Sequence, residues 1–505
     1  MKMNRTILNI SCCLLLMVPI LSSCNDWLDV KSETEDKEED LFANETGFKS
    51  ALTGIYMALA ERNAYGEKLT MSAIEELGCV WYCDDYDQNP AYYYLHKHDY
   101  SNDYAKDVMK DVYHQLFFTI TQTNVLLKNI SEHSEAIDAN RQLKAMIEGE
   151  AYAIRALCHF DVLRLFGQIP AHQGTVNVKL PYSFTTKIND LPDYYDYDRY
   201  VQLLNDDLQK ALQLLKDSDP AIDYALNELN YVNGNLFDDD YYYFRRTRLN
   251  YWAVKALKAR IDLYVGNTTS ANAEALEVIN ATTNGGEKVV TLNADADLNN
   301  GYYTLPGEHL FALSKYDLFS YSNSLLIGNG TAQVTPNRHL VLSQAMLNDL
   351  FMGSDIASNN RYLKLWNKTA MNNQGIIYPC LCKYYFNTAG TNPSIIYQAL
   401  IPVIRLSEMY LIAMETATDV AQANSLYYDY MRDHKITPDN DYFKQLSQVK
   451  DEVLKEYRRE FIGEGYMFYT YKRLFMNDMP WRDTEDNITE SDYIIPLPDT
   501  EYVKE

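Results

Sequence analysis

Apolar residues recur at three- and four-residue spacing through much of this 505-residue chain, which predicts amphipathic helices rather than strands. One such helix is expected from about 47 to 61. Over 104–130, Val108, Val112, Leu116, Ile120 and Leu127 fall on or near one face. The clearest helix runs from 141 to 165, with Leu143, Met146, Ile147, Ile154, Leu157 and Leu165 as core candidates, and Gly167 and Pro170 stop it. Further helical stretches follow at 197–216, 249–265, 271–281, 405–418, 419–434 and 446–475. In 249–265 small and bulky residues mix (Trp252, Ala253, Ala256, Leu257, Ala259), which suits close antiparallel packing, with 197–216 as the natural partner. Paired helices of about 34 residues in total follow tetratricopeptide logic. The expected fold is mostly α, built of degenerate tetratricopeptide-like helical pairs with long irregular inserted loops. The insertions at 78–100, 167–195, 220–247 and 283–400 are rich in Gly, Asn, Pro, Asp and Tyr and carry at most short helices or strands. Loops this long are usually functional.

The amino terminus breaks the helical pattern and changes the picture. Lys2 and Arg5 precede an apolar run from Ile7 to Leu21, too short for the roughly 20 residues a membrane-spanning helix needs. Leu21-Ser22-Ser23-Cys24 then resembles a bacterial lipobox. Residues 1–23 are accordingly read as a lipoprotein signal peptide, with Cys24 cleaved to the first position and acylated, and several acyl chains would anchor the protein stably. Residues 24–40 read as a solvated tether, with Glu33, Glu35, Asp36, Glu38, Glu39 and Asp40 in a run without core formers. Residues 41–505 form the folded unit.

Charge excludes whole classes of partner. The formal net charge of −25 argues against nucleic acid, which needs cations to displace phosphate counterions, and against a basic membrane-surface protein. Loss of Lys2 and Arg5 with the signal would make the remainder more negative still. Tyrosine is unusually abundant, with 43 against 17 phenylalanines, giving many rings with a polar tip. Beyond the signal and Cys24, five cysteines remain: Cys79, Cys83, Cys158, Cys380 and Cys382. An odd number leaves at least one free thiol unless another chain pairs with it, and Cys158, inside an apolar helical pattern, is expected to be buried. Cys380-Leu-Cys382 could hold a metal only with further ligands. His96 and His98 could supply them, but nothing in the sequence brings these segments together, so no metal is assigned.

Five stretches in order carry a family resemblance. They are Cys24-Asn25-Asp26-Trp27-Leu28-Asp29-Val30; Glu150-Ala151-Tyr152-Ala153-Ile154-Arg155-Ala156 leading to Arg164-Leu165-Phe166-Gly167-Gln168-Ile169-Pro170; Arg405-Leu406-Ser407-Glu408-Met409-Tyr410-Leu411-Ile412; Tyr457-Arg458-Arg459-Glu460-Phe461-Ile462-Gly463-Glu464-Gly465; and Ile494-Ile495-Pro496-Leu497-Pro498. Together they span nearly the whole chain, which resembles the SusD-like (SusD/RagB) nutrient-uptake outer-membrane lipoproteins. One departure is the run after Gly465, Tyr466-Met467-Phe468-Tyr469-Thr470-Tyr471-Lys472-Arg473, which lacks the acidic residue usual there. The resemblance implies a protein lipid-anchored at the outer membrane and facing outward, which binds an oligomeric nutrient and forms a lid on a SusC-type TonB-dependent transporter. It implies no catalysis, and the chain has no G-x-S-x-G, H-E-x-x-H or phosphate-binding glycine loop. The motif residues Arg155, Arg405, Glu408, Arg458 and Glu460 sit among apolar residues and are read as interhelical ion pairs rather than binding groups.

Sugar recognition wants aromatic platforms for apolar pyranose faces, with carboxylates and amides for the hydroxyls. The stretch Trp81-Tyr82-Cys83-Asp84-Asp85-Tyr86-Asp87-Gln88-Asn89, followed by Tyr92-Tyr93-Tyr94, supplies both in one loop, where the family places part of its ligand face. Trp81 and Tyr92 are the expected platforms, and Asp84 and Asp85 the expected hydroxyl acceptors. Asp238-Asp239-Asp240-Tyr241-Tyr242-Tyr243 and Tyr316-Asp317-Leu318-Phe319-Ser320-Tyr321 are second candidates. No cofactor is assigned: the triple aspartate lacks the spacing of an EF-hand calcium loop. A peptide ligand for the same type of importer is the alternative, since an acidic surface steers cationic peptides. A helical-repeat scaffold that docks protein partners is the reading from another class.

Overall fold

The computed structural model describes residues 33–502, apart from 85–88, 171–172, 188–189, 235, 329, 331–332, 337, 387–398 and 483–486. Residues 1–23, read above as a signal peptide, and Cys24 and Asp85 lie outside the described residues. Within them the chain is predominantly helical, with eighteen α-helices and three two-stranded sheets.

The periodic segments form the helices expected of them. In chain order the first seven are α1 (Glu33–Leu41), α2 (Glu45–Leu59), α3 (Ala73–Leu77), α4 (Pro90–His96), α5 (Asp103–Glu132), α6 (Arg141–Phe166) and α7 (Tyr197–Lys216). The sheet of β1 (Leu180–Tyr182) and β2 (Asp193–Tyr195) lies between α6 and α7 in sequence. Side chains that satisfy orphan amide groups set the starts. Asn44 caps α2, Asn140 caps α6 through the Leu143 N–H, and Asp196 caps α7 through the Arg199 N–H. Helix α6 is buried almost all round from Gly149 to Phe166, and both α5 and α7 pack on it. Small residues permit that approach: a Cβ on Gly149 would lie 2.8 Å from Leu215 Cγ. The acidic leader was expected to be a tether throughout, yet its end, from Glu33, is helical and leads into Phe42, buried against Phe48.

Helices α8 (Tyr251–Tyr264) and α9 (Thr268–Asn280) follow. The expected pairing of 197–216 with 249–265 exists, but it is secondary. Helix α7 packs chiefly on α6, and α8 on α9. In the inserted region come α10 (Ala294–Asn299), β3 (His309–Ser314), α11 (Leu318–Leu326), α12 (Gln344–Leu350), α13 (Asn360–Lys364), β4 (Trp366–Asn367) and β5 (Cys380–Leu381). The chain then returns through β6 (Leu400–Arg405) to α14 (Leu406–Glu415), α15 (Val420–Asp433), α16 (Leu446–Phe461), α17 (Met467–Leu474) and α18 (Glu490–Tyr493). β3 pairs antiparallel with β6, placing His309 opposite Arg405. The single helix expected over 446–475 is broken after Phe461 by a turn in which Gly463 and Gly465 take φ of +79° and +77°. A Cβ on Gly465 would fall 2.2 Å from the Leu69 carbonyl oxygen, so only glycine fits there.

Two buried charge networks hold these pieces in place. Arg405, 1% exposed, lies 2.6 Å from Glu308, 2.7 Å from Glu460 and 2.9 Å from Glu464. Arg361 joins Glu456 at 2.8 Å and Glu460 at 2.9 Å, and Lys383 joins Glu464 at 2.5 Å. In the amino-terminal half Glu150 takes Arg245 at 2.7 Å and Arg248 at 2.9 Å, while Arg245 also reaches Asp219 at 2.8 Å. Arg155 pairs with Asp207 at 2.7 Å, and Arg260 with Glu408 at 2.6 Å. Thus Arg155 and Glu408 make interhelical pairs, as expected, and Glu460 pairs at the end of α16, whereas Arg405, expected on a helix, pairs from the end of strand β6. Arg458, at the surface edge over the Trp481 ring, also makes the interhelical pair expected of it, with Asp349 of α12 at 3.3 Å. In the run after Gly465 that lacks the acid, the Tyr466 hydroxyl accepts from Arg260, which is also paired with Glu408.

Glu75 on α3 borders the first network. Its Oε1 accepts the Gly465 N–H at 2.6 Å, yet burial pushes its carboxyl up to about 8.

Two stability predictions follow from these buried charges. Arg405→Met leaves three carboxylates without their shared cation and is expected to cost about 3–5 kcal/mol, read from urea midpoints. Lys110→Ala, which breaks only the exposed pair with Asp107, should leave the midpoint unmoved. For Glu75, the unfolded chain releases its proton near 4.5 while the folded chain holds it to about 8. Between those values the unfolded state binds fewer protons, so stability falls as pH rises. Glu75→Gln removes that loss. Relative to the wild type, the variant should gain a few kcal/mol in order of magnitude between pH 5 and pH 8.5, measured as the change in urea stability. A constant difference between the two pH values would show that Glu75 is ionised in the fold.

Candidate ligand-binding face

The loop expected to carry the platforms folds inward. Helix α3 is buried along its length, and the chain after it turns at Cys79, whose φ is +51°. Trp81 follows Cys79 and Val80 into the core. It is 1% exposed, and its indole N–H donates to the Met71 carbonyl at 2.8 Å. Tyr92, in the first turn of α4, is 8% exposed and donates its hydroxyl to Glu67 at 2.9 Å. Neither ring offers a face to a ligand, so both assignments are corrected: these aromatics anchor the loop. The apolar Cys79-Val80 before Trp81 was the sequence signal for burial. Asp84 is exposed and accepts from the Tyr82 hydroxyl at 2.8 Å. Asp85 lies outside the described residues.

A different surface emerges beside this loop. The Tyr82 N–H donates to the Val341 carbonyl, and its ring lies 5.4 Å from that of Tyr378. Beneath them Ile327, Val334, Val341, Tyr378 and Cys380 form a small apolar cluster separate from the main core. Helix α11 is tied to the loop after α2. The Tyr321 hydroxyl donates to the Gly66 carbonyl at 2.7 Å, Arg62 covers the Tyr321 ring at 4.8 Å, and Lys315 bridges Glu61 at 3.1 Å and Asp317 at 3.4 Å. Asn323 exchanges two hydrogen bonds with the backbone of Phe386, whose ring lies 6.2 Å from Phe319. Leu340 bonds back to Leu325.

These contacts sew 61–67, 81–84, 315–326, 340–341 and 378–386 into one face. Tyr316 and Phe319 stand out from it, 78% and 41% exposed, with Glu61, Asp317 and Asp84 supplying carboxylates and Arg62 and Lys315 supplying cations. Exposed rings flanked by charged hydrogen-bonding groups suit a polyhydroxylated ligand with apolar faces. The run Tyr316–Tyr321, a second candidate in the sequence, therefore holds the exposed rings.

In the other second candidate Asp239, Tyr241 and Tyr243 are tied into the fold, while Asp238 and Asp240 are exposed. Asp239 pairs with Lys49 at 2.5 Å, Tyr241 lies under Arg248 at 3.8 Å, and Tyr243 is 1% exposed. A groove of about 460 Å³ between α5 and 183–192 contains Tyr113, Phe117, Phe118 and Leu191. Tyr113 and Phe117 there pack on each other at 4.5 Å and Tyr113 on Phe166 at 5.3 Å, which leaves Phe118, 48% exposed, as its open ring.

All five described cysteines are free thiols. Cys158 is buried in α6 as expected, and burial pushes Cys380 and Cys382 up to about 12, which keeps them protonated.

Two family models match the chain and together cover more than half of it. One, described as "Starch-binding associating with outer membrane", matches residues 26–224, and the other, the SusD family, matches 351–502. No curated protein matches significantly. Among solved structures, a SusD superfamily protein from Bacteroides thetaiotaomicron VPI-5482 is 21% identical with a TM-score of 0.68, over 91% of this chain and 97% of that one. A SusD-like carbohydrate binding protein from Bacteroides vulgatus ATCC 8482 is 14% identical with a TM-score of 0.64, over 91% and 96%. A laminarin binding SusD-like protein is 18% identical with a TM-score of 0.61, over 91% and 97%. At these identities the likeness is one of fold.

Proposed function

The chain belongs to the SusD/RagB family, and from that premise we propose that it binds oligosaccharide nutrients at the outer membrane and delivers them to a SusC-type TonB-dependent transporter. As a member of this family it is a binding protein, not an enzyme. The observation that carries the sugar reading is the face around α11, where Tyr316 and Phe319 are exposed in the run that also carries Lys315, bridged to Glu61 and Asp317. The rings would take the C–H faces of a glycan, and the carboxylates its hydroxyls. The laminarin-binding relative supports a glycan as ligand class. A peptide is the second reading, favoured by the net charge of −25, which would draw cationic peptides by long-range attraction.

Attachment is proposed through an acylated Cys24, outward on the cell surface, with the residues up to α1 as tether. Among the described residues no helix is long and apolar enough to cross a membrane.

Calorimetry on the full chain in detergent tests the ligand face, using a pool of α- and β-glucan oligosaccharides, laminarin fragments included, and separately a tryptic peptide digest. Heat is expected with the sugars, and the double change Tyr316→Ala and Phe319→Ala should weaken binding by about tenfold or more, or roughly 1.4 kcal/mol, with the thermal midpoint unmoved. Trp81→Ala, in contrast, should cost about 3–5 kcal/mol of stability. Heat with peptides alone would replace the ligand class, and full-strength sugar binding by the double variant would remove the site from this face. Anchoring is tested separately: Cys24→Ala should release the protein from membranes and abolish labelling by palmitate, and persistent membrane association would overturn the acylation.

A further inference from the structure

Behind the proposed ligand face, three side chains of different ligand chemistry converge. Glu76 comes from α3, Cys83 from the loop that follows, and His96 from the last turn of α4. Their donor atoms all lie within 4.8 Å of one another, and His96 Nδ1 is 3.1 Å from Glu76 Oε2. Glu76 and His96 are buried, at 3% and 1% exposure, while Cys83 is half-buried. We propose that Glu76, Cys83 and His96 form a zinc-class metal site that pins the loop carrying Tyr82 and Asp84.

The donor set selects the ion. Calcium and magnesium take oxygen ligands, whereas a thiolate, an imidazole nitrogen and a carboxylate together suit a borderline cation such as Zn²⁺. Bonds of about 2.0–2.3 Å in a tetrahedron place neighbouring donors about 3.5 Å apart, so the three side chains need little movement to close on an ion. The surrounding backbone is already fixed for the purpose. His98 bonds the Leu77 carbonyl at 2.8 Å, and the Cys79 thiol sits 3.6 Å from the His96 carbonyl. These two contacts hold the end of α3 against the end of α4, so Glu76 and His96 stand side by side before any ion arrives. Cys83 closes the set from the more open side, which leaves the fourth position to water. Binding would convert the Cys83 thiol to a thiolate, releasing its proton to solvent.

Nothing in this site depends on which nutrient the outer face takes, and it is tested without one. The untagged full chain, reduced and stripped of metal in detergent, is titrated with Co²⁺ as a spectroscopic probe. One equivalent should produce a near-ultraviolet thiolate-to-cobalt charge-transfer band with tetrahedral d–d bands, both erased by Zn²⁺. Cys83→Ser should lose the charge-transfer band and weaken Zn²⁺ binding by about tenfold or more, while Cys380→Ser keeps both. His96→Gln should lose tetrahedral binding, and Cys83→Ser, altered only at a half-buried thiol, serves if His96→Gln fails to fold. No band at one equivalent, or a band that survives Cys83→Ser, would overturn the site and leave Glu76 and His96 as a hydrogen-bonded pair beside an idle thiol.

Discussion

The Arg405 guanidinium is the point from which the carboxy-terminal half is organised. It is buried, and a buried cation must have its counterions wherever the chain can supply them. Glu308 comes from the turn before β3, Glu460 from the end of α16, and Glu464 from the glycine turn beyond. Those three points and Arg405 itself, at the end of β6, therefore converge on one spot. The pairing of His309 with Arg405 brings the start and finish of the large insertion together. Everything between 315 and 399 then leaves and re-enters the fold at one place. That is why α11 and the 378–386 segment can build an exposed face on a helical body whose own surfaces are packed.

The amino-terminal network does comparable work without regular secondary structure. The described residues of 220–247 contain only short 3₁₀ turns, yet Arg245 binds both Asp219 and Glu150, and Arg248 binds Glu150 and stacks on Tyr241. A segment that the sequence marks as loop is thereby tied to α6 by buried charges instead of backbone ladders.

Much of the helical body was legible because its signals are local. Periodic apolar positions place α6 and α7 nearly to the residue, with Gly167 marking the end of α6. The pairing order was less legible, because which helix α7 faces depends on Leu215 meeting Gly149, a contact between distant residues. The break after Phe461 escaped for a similar reason. Glycines at 463 and 465 read as tolerable in a helix until the Leu69 carbonyl occupies the space a Cβ would need. At the site, residue type was the right clue and loop orientation was the missing one. Trp81 follows two apolar residues and goes inward, whereas Tyr316 stands between Lys315 and Asp317 and stays out. Composition alone treats these rings alike; their neighbours separate them.

The β3–β6 pairing has a consequence for how such a protein diversifies. With both ends clamped, and the Lys315 N–H bonded to the Ala399 carbonyl, the enclosed segment is a closed loop on a rigid base. Doubling the length of a flexible closed loop costs only about 0.6 kcal/mol in closure entropy. Residues such as Arg361, Lys383 and Tyr384, which reach back into the body, must be kept. So must the side chains buried in the main core, such as Leu326, Leu347, Leu365 and Trp366; what lies outside those anchors can vary in length and sequence while the helical chassis goes on folding unchanged.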